Sequence, residues 1–321
     1  MNTPSFFLLV PGPFDHTPGL LGALAQAGVL CTAGSQEPPV RGELRVEVID
    51  EPEGFAAAMY WGPDGPVPEA VVQAAGQCTK AALLEICNPL DAAREQTLAL
   101  LRALQALGAA SIRAEASGLS CSLERFIERL EDGSSEQLVT AAVAFVAQDE
   151  RSFFSVGMQH FGLPDVELQD CEAQAALNWL HAFCRYCIDE SPVFGSGSTF
   201  APAADASRRS LERWPDLRHP AHDGRHNPQG VWVALPEGAP ALELRDPEPV
   251  HIPALVAILM SQQQQLGRPL TQAEVEAVAD EAPTIEMELG AARAMDRSRG
   301  YVDLEPRRAW EQWCRVRDMH G

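Results

Sequence analysis

The chain has 321 residues, 46% apolar and 21% charged, which is enough to bury a sizeable core and too apolar for wholesale disorder. Its 24 basic and 45 acidic residues leave a net charge of −21, a field that repels phosphate backbones and argues against a nucleic-acid partner. No apolar run reaches the length of a membrane span, and Phe6 to Val10 is halted by Pro11, Gly12 and Pro13, so the chain reads as cytoplasmic, with no membrane partner.

The acid excess is densest early: residues 1–150 carry 8 basic and 20 acidic side chains. A field of that sign keeps a protein soluble, and it also draws in a basic partner at low salt. The eight cysteines are too sparse for a disulfide framework and read as reduced, buried, small hydrophobes.

In chain order, Ser5 to Val10 reads as a buried strand and Pro18 to Ala27 as a helix. Leu44 to Ile49 alternates with period two, and Phe55 to Trp61 is a further apolar strand. Val67 to Ala75 is helical, and Ala81 to Cys87 is a short apolar strand ending at Asn88-Pro89. Strand, helix, strand, strand, helix, strand is the order of a ferredoxin-like unit, in which two helices cover one face of a sheet.

A second α+β half follows over about residues 91–190. Asp91 is the expected N-cap of a helix whose Leu98, Leu101, Leu104 and Leu107 form an inward stripe ending at Gly108. Ser111 to Ala116 is a strand. Ser122 opens a helix with Leu123, Phe126, Ile127 and Leu130 inward and Glu124 and Arg125 outward. Thr140 to Gln148 and Phe153 to Leu168 supply strands, and Glu172 to Ile188 a long helix.

Residues 191–229, with Gly195-Ser196-Gly197-Ser198 and Pro202, Pro215 and Pro220, read as an irregular linker between an α+β domain (1–190) and a smaller, mainly helical domain (230–321). The smaller domain opens with a hairpin of Val231 to Leu235 and Ala241 to Leu244. Helices follow over Ile252 to Gln265, after a Thr271/Glu274 capping box, over Arg293 to Arg297, and from Pro306 to Val316. Trp310 and Trp313, one turn apart, pack the last helix onto its domain. With Tyr301 they are also the candidates for a partner-facing aromatic patch.

The stretch 153–168, FFSVGMQHFGLPDVEL, sets a strand, a glycine-proline turn and a second strand in tight succession, with Gly157 placed for close backbone approach. It resembles the signature of a family of bacterial proteins built on α+β halves and classed as a domain of unknown function. The resemblance extends over about residues 5–190 and implies no activity that can be carried over residue by residue.

Three clusters have residue types suited to chemistry. His160, Asp165 and Glu167 surround the turn of that stretch, and a histidine with two carboxylates is a general acid/base set if all three converge on a pocket. Alternation equally makes Asp165 and Glu167 the wet face of a strand, opposite Val166 and Leu168. His219, His222, Asp223 and His226 lie on one loop and are metal-ligand types, but their spacing matches no zinc signature, so no metal is expected. His181, Cys184 and Cys187 form HxxCxxC on a core-facing helix without a second CxxC, which favours buried structural cysteines. No P-loop, GxGxxG or GxSxG is present, and no cofactor is expected.

The expected function is an acidic protein-binding module with a basic protein partner, most concretely an immunity-type inhibitor of a basic bacterial toxin. The alternative is an enzyme or small-ligand-binding protein that uses a groove between the sheet halves and His160, Asp165 and Glu167. A scaffold docking through its helical tail is a third reading.

Overall fold

The computed structural model describes residues 5–320 except 36, 39, 149, 205, 217, 221–222, 237–247, 288–302 and 305–308. The chain divides into two compact units, Met1–Ala239 and Pro240–Gly321.

The first unit is α+β, as expected, and is built on two six-stranded mixed sheets. Its first sheet starts from β1 (Phe6–Pro11), where alternation turns Phe6, Leu8 and Val10 to one face and Leu9 to the other. Helix α1 (Thr17–Gln26), the two-residue β2 (Thr32–Ala33) and β3 (Leu44–Asp50) follow. Next come a small ribbon of β4 (Trp61–Gly62) and β5 (Gly65–Pro66), helix α2 (Glu69–Gly76) and β6 (Lys80–Ile86). Helix α3 (Arg94–Ala106), β7 (Ser111–Ala114), β8 (Ser120–Ser122) and α4 (Leu123–Asp132) complete the layer.

The strand order is β2-β3-β6-β1-β7-β8, with β6 antiparallel to both β1 and β3. One feature of the ferredoxin-like reading changes. Phe55 to Trp61 is not a sheet strand: Phe55 and Met59 plug into a small apolar cluster, Ala56–Ala58 forms a 3-10 turn, and Trp61 enters the separate ribbon. The sheet gains β7 and β8 from what the sequence places in a second half. Helices lie on both of its faces: Leu20 and Leu24 of α1 and the leucines of α3 pack on the Phe6 and Leu8 side, while Ala75 of α2 packs on the Leu9 side.

Helix α3 starts later than expected. Its N-cap is Ala93 without a side-chain cap, because residues 91–93 are still turning, so Asp91 is exposed and caps nothing. Ser122 does cap α4, its hydroxyl accepting from the Arg125 N–H. Gly108 ends α3 at φ +99°, as its position suggests.

The second sheet has the order β12-β13-β14-β11-β10-β9. Its elements are β9 (Ala144–Ala147), β10 (Phe153–Val156), β11 (Asp165–Leu168), β12 (Ser198–Phe200), β13 (Arg209–Trp214) and β14 (Val231–Pro236). Thr140 to Gln148 is therefore only half strand. Its first residues belong to α5 (Ser135–Ala142), which Ser134 caps by accepting from the Gln137 N–H.

The expected linker at 191–229 contributes β12 and β13, and Val231 to Pro236 does not open a hairpin. It runs parallel to β11 and antiparallel to β13 in the first unit. The proposed return strand, Ala241 to Leu244, lies outside the described residues. Proline and glycine in this stretch mark turns between strands rather than a loose connection.

Helix α6 (Ala173–Glu190) covers this sheet, setting Trp179, Leu180, Phe183 and Cys184 against Phe153, Val166, Leu168, Leu211 and Trp232. One core cluster runs through both sheets. Each fully buried leucine or phenylalanine in it contributes about 1.5–3 kcal/mol.

The second unit holds a two-stranded ribbon, β15 (Glu248–His251) with β16 (Thr284–Met287), and helices α7 (Leu255–Leu266), α8 (Gln272–Glu281) and α9 (Ala309–His320). Thr271 and Glu274 form the expected capping box on α8. Helix α7 has no side-chain cap of its own, and Asp303 supplies one from a distance, accepting from the Leu255 and Val256 N–H groups at 2.8 and 3.1 Å. Leu255, Leu259, Val275 and Trp313 centre its core, with Trp310 packed at the edge. Tyr301, Arg293 to Arg297 and Pro306 lie outside the described residues. Among the described residues no helix is long and apolar enough to cross a membrane.

Candidate interaction surface

The residues nominated for acid/base chemistry sit inside the second sheet. Asp165 and His160 are each fully buried, and Glu167 is 3% exposed, so the strand carrying the carboxylates has no wet face. The cause lies more than fifty residues downstream. Arg218, itself buried, donates to Asp165 at 3.3 Å and to Asp216 at 2.9 Å, and its guanidinium lies over the Phe154 ring. Asn227 donates to Asp165 at 2.9 Å and to the Leu163 carbonyl at 3.0 Å, while the Asp216 carboxylate accepts from the Asn227 N–H.

Ser155 completes the arrangement. Its hydroxyl donates to Asp165 and accepts from the Val166 N–H, replacing a ladder bond where β10 and β11 part. The Met158 N–H donates to the same Asp165 oxygen. Asp165 therefore has four donors and Arg218 two carboxylates, which is how buried charges are kept tolerable.

Burial pushes the Asp165 carboxyl up, with Arg218, Asn227, the Met158 N–H and Ser155 pulling against it. Burial also opposes charge on Asp216, but hydrogen bonds and charge from Arg218 and the N–H of Asn227 hold it below the usual range. The knot fastens the segment Asp216–Asn227 to the sheet.

His160 belongs to a different contact. Its Nδ1 donates to the Gly157 carbonyl at 2.6 Å, and its ring meets the edge of Phe6 at 5.4 Å. Burial pushes the imidazole down to about 4, partly offset by that hydrogen bond. Gly157 itself is at φ +119°, and a Cβ there would overlap the Ala142 carbonyl oxygen, so the close approach expected of it is present. Glu167 accepts from Gln169. The three nominated residues thus lie within one stretch of backbone but are closed to solvent.

The histidine loop is arranged around arginine. Asp223 accepts from the N–H, Nε and Nη2 of Arg225, which holds its carboxyl well below the usual range. His226 Nδ1 pairs with the His219 carbonyl at 3.0 Å, and burial lowers His219. His222 lies outside the described residues. Among the described residues no group of three or more His, Cys, Asp and Glu side chains is placed to hold a metal ion.

Cys184 and Cys187 are buried, and burial raises their thiols, Cys187 to about 12 and Cys184 well above 9. His181 faces Glu136 at 3.6 Å and Phe145 instead of the cysteines.

Exposed acidic and aromatic groups lie instead on the segment 46–79. Residues 46–79 contain no lysine or arginine and six acids, Glu47, Asp50, Glu51, Glu53, Asp64 and Glu69, every one exposed. Within that run Tyr60 is 84% and Trp61 54% exposed. The local sequence explains the display. Phe55 and Met59 are consumed by the small core, and the chain then reverses through the ribbon, with Trp61 paired to Pro66 and bridged to Leu119.

A salt bridge keeps the ribbon in place: Asp64 at its tip accepts from Arg129, which is 2% exposed on α4, at 2.6 Å. Lys80, at the edge of the run, pairs with Asp50 at 2.7 Å. Two large exposed aromatic rings, at and beside a ribbon anchored through Asp64, have the composition of a binding hot spot. The composition of Phe55 to Trp61 predicts a strand through Tyr60 and Trp61, whereas the structure exposes both rings. The available signal was the absence of basic residues around an aromatic pair flanked by Gly62-Pro63 and Gly65-Pro66.

No family model, no curated protein and no solved structure matches the chain.

Proposed function

We propose that the chain is an acidic protein-binding module that engages a basic protein, with Tyr60 and Trp61 as its anchors. The observation that carries this reading is the exposure of those two rings on a segment, 46–79, that has six exposed acids and no lysine or arginine of its own. Aromatic anchors supply affinity by filling pockets on a partner, while the chain's acid excess steers a cationic protein and sets the salt dependence.

An immunity-type inhibitor of a basic bacterial toxin fits this chemistry, with carboxylates standing where a cationic enzyme would hold substrate phosphates. The closed Asp165–Arg218 knot supports a structural role for the second sheet, and the burial of His160, Asp165 and Glu167 weighs against acid/base catalysis there.

The test is capture from the native cell with the tagged protein, washed at low and at high salt and read by mass spectrometry. One stoichiometric basic protein that leaves at high salt is expected. A bait that stays empty, or holds only acidic proteins, contradicts the proposal.

A further inference from the structure

The second sheet ends in an unguarded edge. Among the described residues β9 (Ala144–Ala147) is its last strand and pairs only with β10. The Gln148 N–H donates to the Ser152 carbonyl at 2.9 Å, and the same antiparallel register makes Val146 with Phe154 and Ala144 with Val156 the hydrogen-bonded pairs. Phe145 and Ala147 alternate with these, so their N–H and C=O groups point away from β10, into the next strand position.

The other sheet edges are blunted. Strand β2 has two residues, β12 three, and β8 three, with Trp61 bridged to Leu119 beside it. Short edge strands, charges, prolines and bulges are the devices that keep a sheet from pairing with another chain. Strand β9 has no charged residue, no proline and an unbroken register, and Val143 and Gln148 on either side of it are uncharged. Phe145 turns towards α6, its ring 6.1 Å from His181, and alternation sends Val146, 37% exposed, to the opposite face.

Backbone donors and acceptors set out at strand spacing are matched by another extended strand. The edge has no charge with which to select a basic strand, but it is complementary to itself. Turned antiparallel with Val146 facing Val146, two copies set Phe145 of each against Ala147 of the other, and that register gives both residues of both copies their missing backbone bonds. Val146 then falls in a non-hydrogen-bonded pair, where facing Cα atoms are about 4.5 Å apart and side chains meet most closely. The net charge of −21 on each copy acts at a distance and is screened by salt.

We propose that β9 is a self-association edge, through which two copies of the chain join their six-stranded second sheets across a two-fold axis at Val146. The proposal is independent of the reading of Tyr60 and Trp61, and its salt dependence has the opposite sign: added salt tightens the dimer and releases a basic partner.

The test is sedimentation of the full chain from about 1 μM to about 1 mM, at about 0.15 M and about 0.5 M salt. A monomer–dimer equilibrium that shifts towards dimer at the higher salt is expected. Val146→Lys alone and Val146→Asp alone should each weaken it about tenfold, by facing like charges, and mixing the two variants in equal amounts should restore association to within about threefold of wild type. Amide exchange on the wild type gives a reading that needs no variant to fold. The Val146 N–H should be protected at every concentration, and those of Phe145 and Ala147 only where the dimer forms. A wild type that is monomeric throughout, a dimer that neither substitution weakens, a mixture of the folded variants that stays monomeric, or Phe145 and Ala147 exchange that ignores concentration would each overturn the proposal.

Discussion

The Asp165–Arg218 knot and the Tyr60–Trp61 ribbon lie in the same acidic unit and treat their polar and aromatic groups in opposite ways. In the knot, residues that look reactive on paper are buried, matched and closed. Asp165 meets four donors, and Arg218 and Asn227 tie a distant loop to the sheet. In the ribbon, residues that look like core are held in water by a short turn and one ion pair. Burial and satisfaction, rather than residue type, separate a structural group from a working one.

Breaking the knot should have the largest effect. Arg218→Met leaves the Asp165 and Asp216 carboxylates buried without their cation, and the expected loss is about 3–5 kcal/mol in denaturant unfolding at neutral pH. Adding Asp165→Asn should restore part of it, because one of the uncompensated charges is then gone.

Next in size is a pH effect from His160. Folding lowers its proton affinity, so below pH 6.5 the unfolded chain takes up a proton that the folded chain refuses until about pH 4. The contribution is complete above pH 6.5, and up to about 3 kcal/mol is lost as pH falls to about 4. His160→Asn should flatten the stability-versus-pH curve across that window, measured by urea midpoints. An unchanged slope would show that the imidazole takes up its proton without unfolding the chain.

The ribbon should behave the other way round. Tyr60→Ala with Trp61→Ala should change stability by less than about 0.5 kcal/mol per exposed site, yet weaken partner binding by at least about 2 kcal/mol, roughly thirtyfold. A large fall in melting temperature would mean that the rings are packing groups after all.

The smallest effect sharpens the contrast between buried and exposed polar atoms. Cys184 and Cys187 should resist alkylation in the folded chain at pH 8, because burial keeps both as thiols, and should react promptly in denaturant. Rapid native labelling at either site would contradict the closed second core.

Much of the architecture was legible because its signals are local. Alternation marks β1 and β3, leucine spacing marks α3, and Ser122 and the Thr271/Glu274 pair announce their helices. The misreadings have non-local causes. Phe55 to Trp61 has strand composition, but Phe55 and Met59 are drawn into a core shared with α2 and β6. Val231 to Pro236 looks like half of a hairpin, but its partner, β11, lies 66 residues earlier, Asp165 facing Val231.

The candidate site shows the same limit. Asp165 and Glu167 alternate like a wet strand face, and nothing within the stretch reveals that Arg218 and Asn227 will close over Asp165. The acidic run 46–79 could be read directly from the residues. The outward turn of Tyr60 and Trp61 could not, because it depends on what Phe55 and Met59 find to pack against.

The most direct test of the central claim is a parallel capture with wild type and the Tyr60→Ala/Trp61→Ala variant, matched for melting temperature and washed at low salt. A stoichiometric basic protein is expected on the wild type, and its loss from the variant. The same protein retained at full stoichiometry by the variant would contradict the assignment of this surface.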